Sequence, residues 1–370
     1  MRFQIHIGTN VRQSPFFDAT VADGVKSFSV YNHMYIPGHF GDPEAEYDRL
    51  LNGVVMWDVA AQRQVEMRGP DAVALAQLLT PRDLTGLKAG QGRYVPICDH
   101  DGLLINDPVL LKLDDERIWL SVADSDLHLW AAAIAAERGL DVAVAEPDVS
   151  PLAIQGPKAA EVAFALFGAQ VRELKPFAFF ETRLDDIPLV VARSGWSKQG
   201  GYELYLTDGR KGTALWQRVK EAGRAYGIGP GAPNDIERVE SGLISYGADM
   251  RRQVLPADPF EMGFDKMVSL ESHDFIGRAA LRRRREAGVT RKRVGFILEG
   301  AKVTALARPV ALLHGSSSVG MATDVVFSKR LGVSIGVGII EAAITARDEG
   351  LKIALPEGEI PVRIASVPFL

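Results

Sequence analysis

The chain has 370 residues, 47% of them hydrophobic, and carries a formal net charge of -5. That length exceeds the ~250–300 residues at which one hydrophobic core stops growing, so two or three domains or subdomains are expected. The acidic balance excludes a general polyanion binder, because phosphate contacts need a basic face, and no window reaches the ~18 uninterrupted apolar residues of a membrane span.

The start, MRFQIHIGTN, lacks the apolar stretch of a signal leader. A single cysteine, Cys98, excludes an intramolecular disulfide, and the simplest setting is a reducing, cytoplasmic one with Cys98 buried and inert. YNHMYIP sets Tyr31, Asn32, His33 and Tyr35 in a row, in what reads as an extended segment. From Asp71, DAVALAQLLT is a short amphipathic helix opened by Gly69-Pro70 and stopped by Pro81. RYVPICDHDGLLINDPVLLKL then predicts two strands around an Asp-Gly turn. Within it, INDP ends an apolar run on Asp107, either as an Asx-turn before Pro108 or as a carboxylate that needs a partner to be buried.

RIWLSVADSDLHLWAAAIAAERGLDVAVAEP reads as strand, helix capped by Asp124, stop at Gly139, strand. PLAIQGPKAAEVAFALFG repeats the strand, Gly-Pro, helix order of QVEMRGPDAVALAQLL, which suggests two halves of like construction. Phe177, Phe179 and Phe180 form an aromatic cluster that serves core packing or, less readily, a cation. LVVARSGW and YELYL predict a β-hairpin joined by Ser-Lys-Gln-Gly-Gly. The period of two puts Glu203 and Tyr205 on one hairpin face, and Tyr202 and Leu204 on the other. A carboxylate and a phenol beside Trp196 suit a planar ring bearing paired N–H donors.

GIGPGA lacks a preceding strand and reads as a helix cap and turn rather than a phosphate loop. RAALRRRREAG reads as a solvated basic helix face or, less readily, as a patch for nucleic acid, membrane or an acidic ligand. From about Ala287, short apolar runs separated by Gly, Ser and Pro predict a C-terminal all-β domain, a small barrel or jelly roll. The fold class is α+β, with alternating strand and helix blocks over 1–286 and the all-β domain over 287–370. No histidine or cysteine spacing suits a metal, and no nucleophile elbow or P-loop is present, so no metal is expected and hydrolytic or phosphoryl-transfer chemistry has no support.

The segments MWDVAAQRQVEMRGPDA, GLLINDPVLLK, PLAIQGPK, SGWSKQGGYELY, NDIERVESGLISYGADM and DPFEMGFDKMV, spread over almost the whole chain, resemble the folate-dependent aminomethyltransferase superfamily, the group of the glycine-cleavage T-protein. Their wording, with YNHM, LLTPRDL, SVADSD and ARSGWSKQGGYE, is similar to the demethylase branch that acts on dimethylsulfoniopropionate. The resemblance implies three domains around a central channel for tetrahydrofolate, making 1–286 two interwoven α+β domains and 287–370 a barrel. It makes Asp107 the catalytic acidic group near the reacting nitrogen, with Trp196, Glu203, Tyr205 and Tyr94 binding the folate, and Tyr31 and Trp196 facing a small methylated substrate. Arg238 and Glu240 are expected to hold domains together. The expected reaction moves a methyl group from a small methylated cation to folate N5, without a carrier protein, nucleic acid or membrane. A paralogue for another S-, N- or O-methyl donor and a glycine-cleavage aminomethyltransferase are the alternatives.

Overall fold

The computed structural model describes residues 7–345 and 349–370. Residues 1–6, which open the stretch read for a leader, lie outside them. The chain divides into two compact units interleaved in sequence: Met1–Ala72, Leu87–Arg93 and Val109–Pro233 form the first, and Val73–Gly86, Tyr94–Pro108 and Asn234–Leu370 the second.

The first unit is built on a six-stranded sheet, ordered Phe179–Leu184, Ile187–Ala192, Gly201–Leu206, Ser150–Gln155, Val55–Asp58 and Gly229–Gly231. Strand alternation divides its side chains between two layers. Leu152, Ile154, Leu189, Val191 and Leu204 pack with Val162 of the helix Ala159–Phe167 and with Leu215, Trp216 and Val219 of the helix Gly212–Gly223. Val190, Ala192 and Tyr205, on the opposite face, pack with Leu111 and Trp119 of a second, five-stranded sheet and with Leu113 just past its strand Val109–Lys112. Each large side chain buried in such a layer contributes roughly 1.5–3 kcal/mol.

The strand, Gly-Pro, helix order occurs twice, with strands Gln64–Arg68 and Ser150–Gln155 and helices Ala72–Leu79 and Ala159–Phe167. Both glycines are required by close backbone approach. A Cβ at Gly69 would lie 2.5 Å from the Asp141 carbonyl oxygen, and one at Gly156 2.6 Å from that of Gly53.

Two local expectations are corrected. The helix Leu127–Arg138 stops at Gly139 with φ 62, as predicted, but Asp124 does not cap it. Asp124 instead accepts the Asn32 N–H at 2.8 Å, holding the turn at Asn32 and His33, where φ is 51 and 60. In GIGPGA, Gly227 is the left-handed cap, but Gly229–Gly231 pairs in parallel with Val55–Asp58 and is sheet edge rather than turn.

In the second unit the strands Ile97–Cys98 and Leu104–Asn106 pair across the expected Asp-Gly turn, with Gly102 at φ +74 and Cys98 buried. The two long strands expected here are broken into four, however, Gln91–Tyr94 and Val109–Lys112 joining the five-stranded sheet. The C-terminal segment is a closed barrel, ordered Arg291–Leu298, Val333–Glu341, Ser317–Ser328, Val310–His314, Leu351–Leu355 and Gly358–Ala365. Phe296, Leu312, Ile340 and Ile353 fill it. The helix Asp235–Glu240 is fastened to the barrel by ions: Arg238, 1% exposed, donates to Asp249 at 3.0 Å and to Asp324, while Glu240 accepts from Ser328 and Arg330. The basic helix Arg278–Ala287 presents its arginines to acids, Arg282 to Glu271 and Arg284 to Asp258. Among the described residues no helix is long and apolar enough to cross a membrane.

Candidate functional site

Two buried carboxylates, one in each unit, gather the polar chemistry that the sequence singles out. In the first unit the hairpin pairs Ala192 with Glu203 and Val190 with Tyr205. Its first strand ends at Ala192, short of Trp196, so residues 193–200 form a longer loop than the five-residue turn expected. The cause is Gln155, which is fully buried. Its Nε2 donates to the Ile154 and Ser194 carbonyls at 3.1 and 3.3 Å, and its Oε1 accepts from Ser197 Oγ at 2.8 Å. The loop lies so close on this amide that a Cβ at Gly195 or Gly201 would fall 2.0 or 2.3 Å from Nε2. At Gly201 the Ile154 carbonyl oxygen, 2.4 Å from that Cβ, makes glycine a packing requirement, whereas at Gly195 the amide of Gln155 would have to move.

Glu203 is 5% exposed. Its Oε2 accepts from Tyr205 Oη at 3.2 Å and from Ser194 Oγ, and among the described residues no donor reaches Oε1. Burial pushes the carboxyl above its usual range, while the bonds from Ser194 and Tyr205 pull the other way. Tyr205 lies between the sheets with its ring centroid 6.4 Å from that of Trp119. Burial and the adjacent Glu203 charge hold its hydroxyl protonated, well above the usual phenol value.

Trp196 is half-buried in the loop. Tyr31 is also half-buried, packed against the helix-side core. The three phenylalanines do not form one cluster: Phe179 lies between the sheets, Phe180 on the helix side, and Phe177 is 39% exposed at φ 62. Strand alternation sends the first two to opposite faces.

In the second unit Asp107 follows the strand Leu104–Asn106 and is 7% exposed. Its Oδ2 accepts from Tyr94 Oη at 2.8 Å and from the Tyr246 N–H at 3.2 Å. The Asp107 N–H is taken by the preceding side chain, Asn106 Oδ1, at 3.0 Å. That leaves the Asp107 carboxylate to its distant partners and settles the Asx-turn alternative. Burial pushes Asp107 up to about 7, with the Tyr94 and Tyr246 bonds opposing and the Asp249 charge adding to it. A carboxyl held there exchanges its proton near neutral pH. The Tyr94 ring sits edge-on to Phe264 at 5.7 Å, and burial with the Asp107 charge holds its hydroxyl protonated.

Four participants escape sequence reasoning. Ser194 and Gln155 stand inside the quoted motifs with no signal of their own, and Tyr246 and Arg293 meet the Asp107 and Tyr94 group only through the fold.

Residues 16–272 match the family model of the GCVT N-terminal domain, and residues 291–370 that of the glycine cleavage T-protein C-terminal barrel domain. The dimethylsulfoniopropionate demethylase of Ruegeria pomeroyi is 40% identical over 354 residues, covering 96% of each chain. An aminomethyltransferase of Rubrobacter xylanophilus is 29% identical, over 97% of this chain and 94% of its own. One from a Thermoanaerobacter species is 26% identical, over 97% and 98%. The crystal structure of aminomethyltransferase T from Bartonella henselae superposes with a TM-score of 0.85 at 23% identity, covering 97% of this chain and 98% of that one. With both family models matched and the closed barrel in place, the chain belongs to the glycine-cleavage T-protein family of folate-dependent one-carbon transferases.

Proposed function

We propose that the enzyme moves a methyl group from dimethylsulfoniopropionate to N5 of tetrahydrofolate, giving 5-methyltetrahydrofolate and methylmercaptopropionate. The observation that carries the choice of donor is the end-to-end 40% identity to a dimethylsulfoniopropionate demethylase, against 26–29% for the aminomethyltransferases named above.

The residues fit a folate. Glu203 is a buried acceptor with one oxygen already fixed by two hydroxyls and the other open to the N–H donors of a pterin, and charge-assisted bonds of this kind are the strong ones. Tyr205 and Ser194 keep that carboxylate in one rotamer. Trp196 and Tyr31 offer aromatic faces to the sulfonium cation, and Tyr94 lines the folate beside Asp107.

Tetrahydrofolate supplies the nucleophilic N5 that takes the methyl group. The sulfonium sulfur keeps the pair of the breaking S–CH3 bond and leaves neutral, so no acid is needed at the donor. Asp107 accepts the N5 proton, a task that suits a carboxyl near 7. The rest of the acceleration comes from alignment and exclusion of water. A lipoyl carrier protein has no role in this reaction.

Purified protein incubated with tetrahydrofolate and dimethylsulfoniopropionate should yield 5-methyltetrahydrofolate by mass spectrometry. Absence of that product, with methylenetetrahydrofolate formed from aminomethyl-lipoyl protein instead, would move the chain to the aminomethyl reaction.

A further inference from the structure

Arg291 and Arg293 stand two residues apart on the barrel strand Arg291–Leu298, and so on the same face. Arg291 applies Nε and Nη2 to the Glu261 carboxylate at 2.7 and 3.0 Å. Arg210 uses the same two nitrogens on Asp208, at 2.8 and 2.9 Å, and Arg63 uses them on Glu146. This edge of the guanidinium carries two parallel N–H bonds spaced to match the oxygens of a carboxylate. In Arg293 the same two nitrogens are buried, and neither has an acceptor among the described residues.

The neighbours balance the charge of this edge without bonding to it. Asp249 and Arg238 lie close enough for their charges to act on Arg293, and the Tyr94 hydroxyl is within the same range. Asp249 Oδ2 is already taken by Arg238 at 3.0 Å and by the Ser245 N–H at 2.9 Å. Its Oδ1, buried and unpartnered, balances the charge of Arg293 without bonding to it. A buried guanidinium edge left unsatisfied is costly unless a ligand completes it. Asp249, the acid that acts on Arg293, disfavours a dianionic phosphate and leaves a monoanionic, planar, two-oxygen group as the fitting partner.

We infer that the Nε and Nη2 edge of Arg293 is a carboxylate-binding site that engages a substrate carboxylate next to Tyr94, the residue bonded to Asp107. The inference rests on the reading above for which carboxylates arrive: the propionate of the methyl donor or the glutamate of the folate.

Calorimetric titration of the full chain tests it with two ligand pairs: dimethylsulfoniopropionate against its methyl ester, and tetrahydrofolate against tetrahydropteroate, which lacks the glutamate. The wild-type protein should bind the carboxylate-bearing member of one pair at least 30-fold more tightly. Arg293→Gln should abolish that difference while leaving the carboxylate-free member's affinity within about threefold. Arg293→Lys, which keeps the charge and loses the paired edge, should restore only part of it. The pair that discriminates identifies the source. Equal affinities within both pairs for the wild-type protein, binding of none included, overturn the inference even if the Gln variant does not fold. So does a Gln variant that weakens both members of a pair alike. Wild-type protein that discriminates but forms no methylated folate would discard the demethylase reading and keep the Arg293 site.

Discussion

Glu203 and Asp107 are both buried carboxylates bonded to a tyrosine hydroxyl, yet they are built differently. Glu203 has neutral partners close in sequence, Ser194 and Tyr205, on its own hairpin. Asp107 has partners 13 and 139 residues away, and the Asp249 charge presses on it as well. Hydroxyls from one hairpin fix a rotamer and leave the second oxygen as a standing acceptor. A carboxyl gathered from distant segments among other charges is poised near 7 and trades protons. On the proposed reading, environment separates two residues of one chemical type into a ligand-holding role and a proton-handling role.

Exchanging the charge of each should break this contrast in opposite directions. Asp107→Asn should cost turnover roughly 10²–10⁴-fold, the usual scale of a positioned acid or base, while folate affinity stays within about threefold. Its effect on stability has the other sign. The folded-state value of Asp107 is raised from 3.8 to about 7, so the stability it contributes is complete below 3.8 and lost as pH rises through about 7. At pH 8 the Asn variant should therefore melt no lower than wild type by calorimetry, a combination that a merely structural Asp107 would not give. Glu203→Ala should do the reverse: folate affinity about 10- to 150-fold weaker, matching the ~1.5–3 kcal/mol of a charge-assisted bond. Turnover at saturating folate should be far less affected than in Asp107→Asn. Unchanged folate affinity in Glu203→Ala would remove the hairpin from the binding site.

A third substitution tests whether the acceptor depends on the amide beneath the loop. Gln155→Ala removes the support of the Ser194 carbonyl and Ser197 hydroxyl but leaves Glu203 in place. Folate affinity should fall by about 5- to 10-fold, as for the loss of one or two ordinary hydrogen bonds, with faster protease cleavage within 193–200. Equal cleavage of variant and wild type would leave Gln155 as packing alone.

What the sequence made legible follows the same division. The hairpin, its face-sharing Glu203 and Tyr205, the repeated Gly-Pro starts and the barrel all rest on signals confined to neighbouring residues: alternation, glycine placement and short apolar runs. Asp124 shows how a local signal misleads, because an Asp just before a helix suits a cap, yet a turn about ninety residues earlier claims its carboxylate. The Tyr246 bond to Asp107 could not be read from spacing at all. Nor could the open edge of Arg293, whose charge is balanced by Asp249 without a bond between them.

The finest test separates the tyrosine's bond from the burial around it. Tyr94 donates to Asp107 Oδ2 at 2.8 Å and so lowers a proton affinity that burial has raised. Tyr94→Phe keeps the ring against Phe264 and removes only that bond. The Asp107 midpoint should then rise above about 7, by up to ~1 pH unit. On the proposed mechanism the carboxylate is the form that accepts the N5 proton, so turnover should rise with pH through this midpoint in wild type. The variant should be less active near pH 7 and approach the wild-type rate near pH 9. A midpoint that stays put would mean that the Tyr246 N–H and burial alone set the proton affinity, and Tyr94 would then be left with only the lining of the folate. A midpoint that rises, with Glu203-dependent folate affinity unchanged, would show that the two carboxylates are tuned independently.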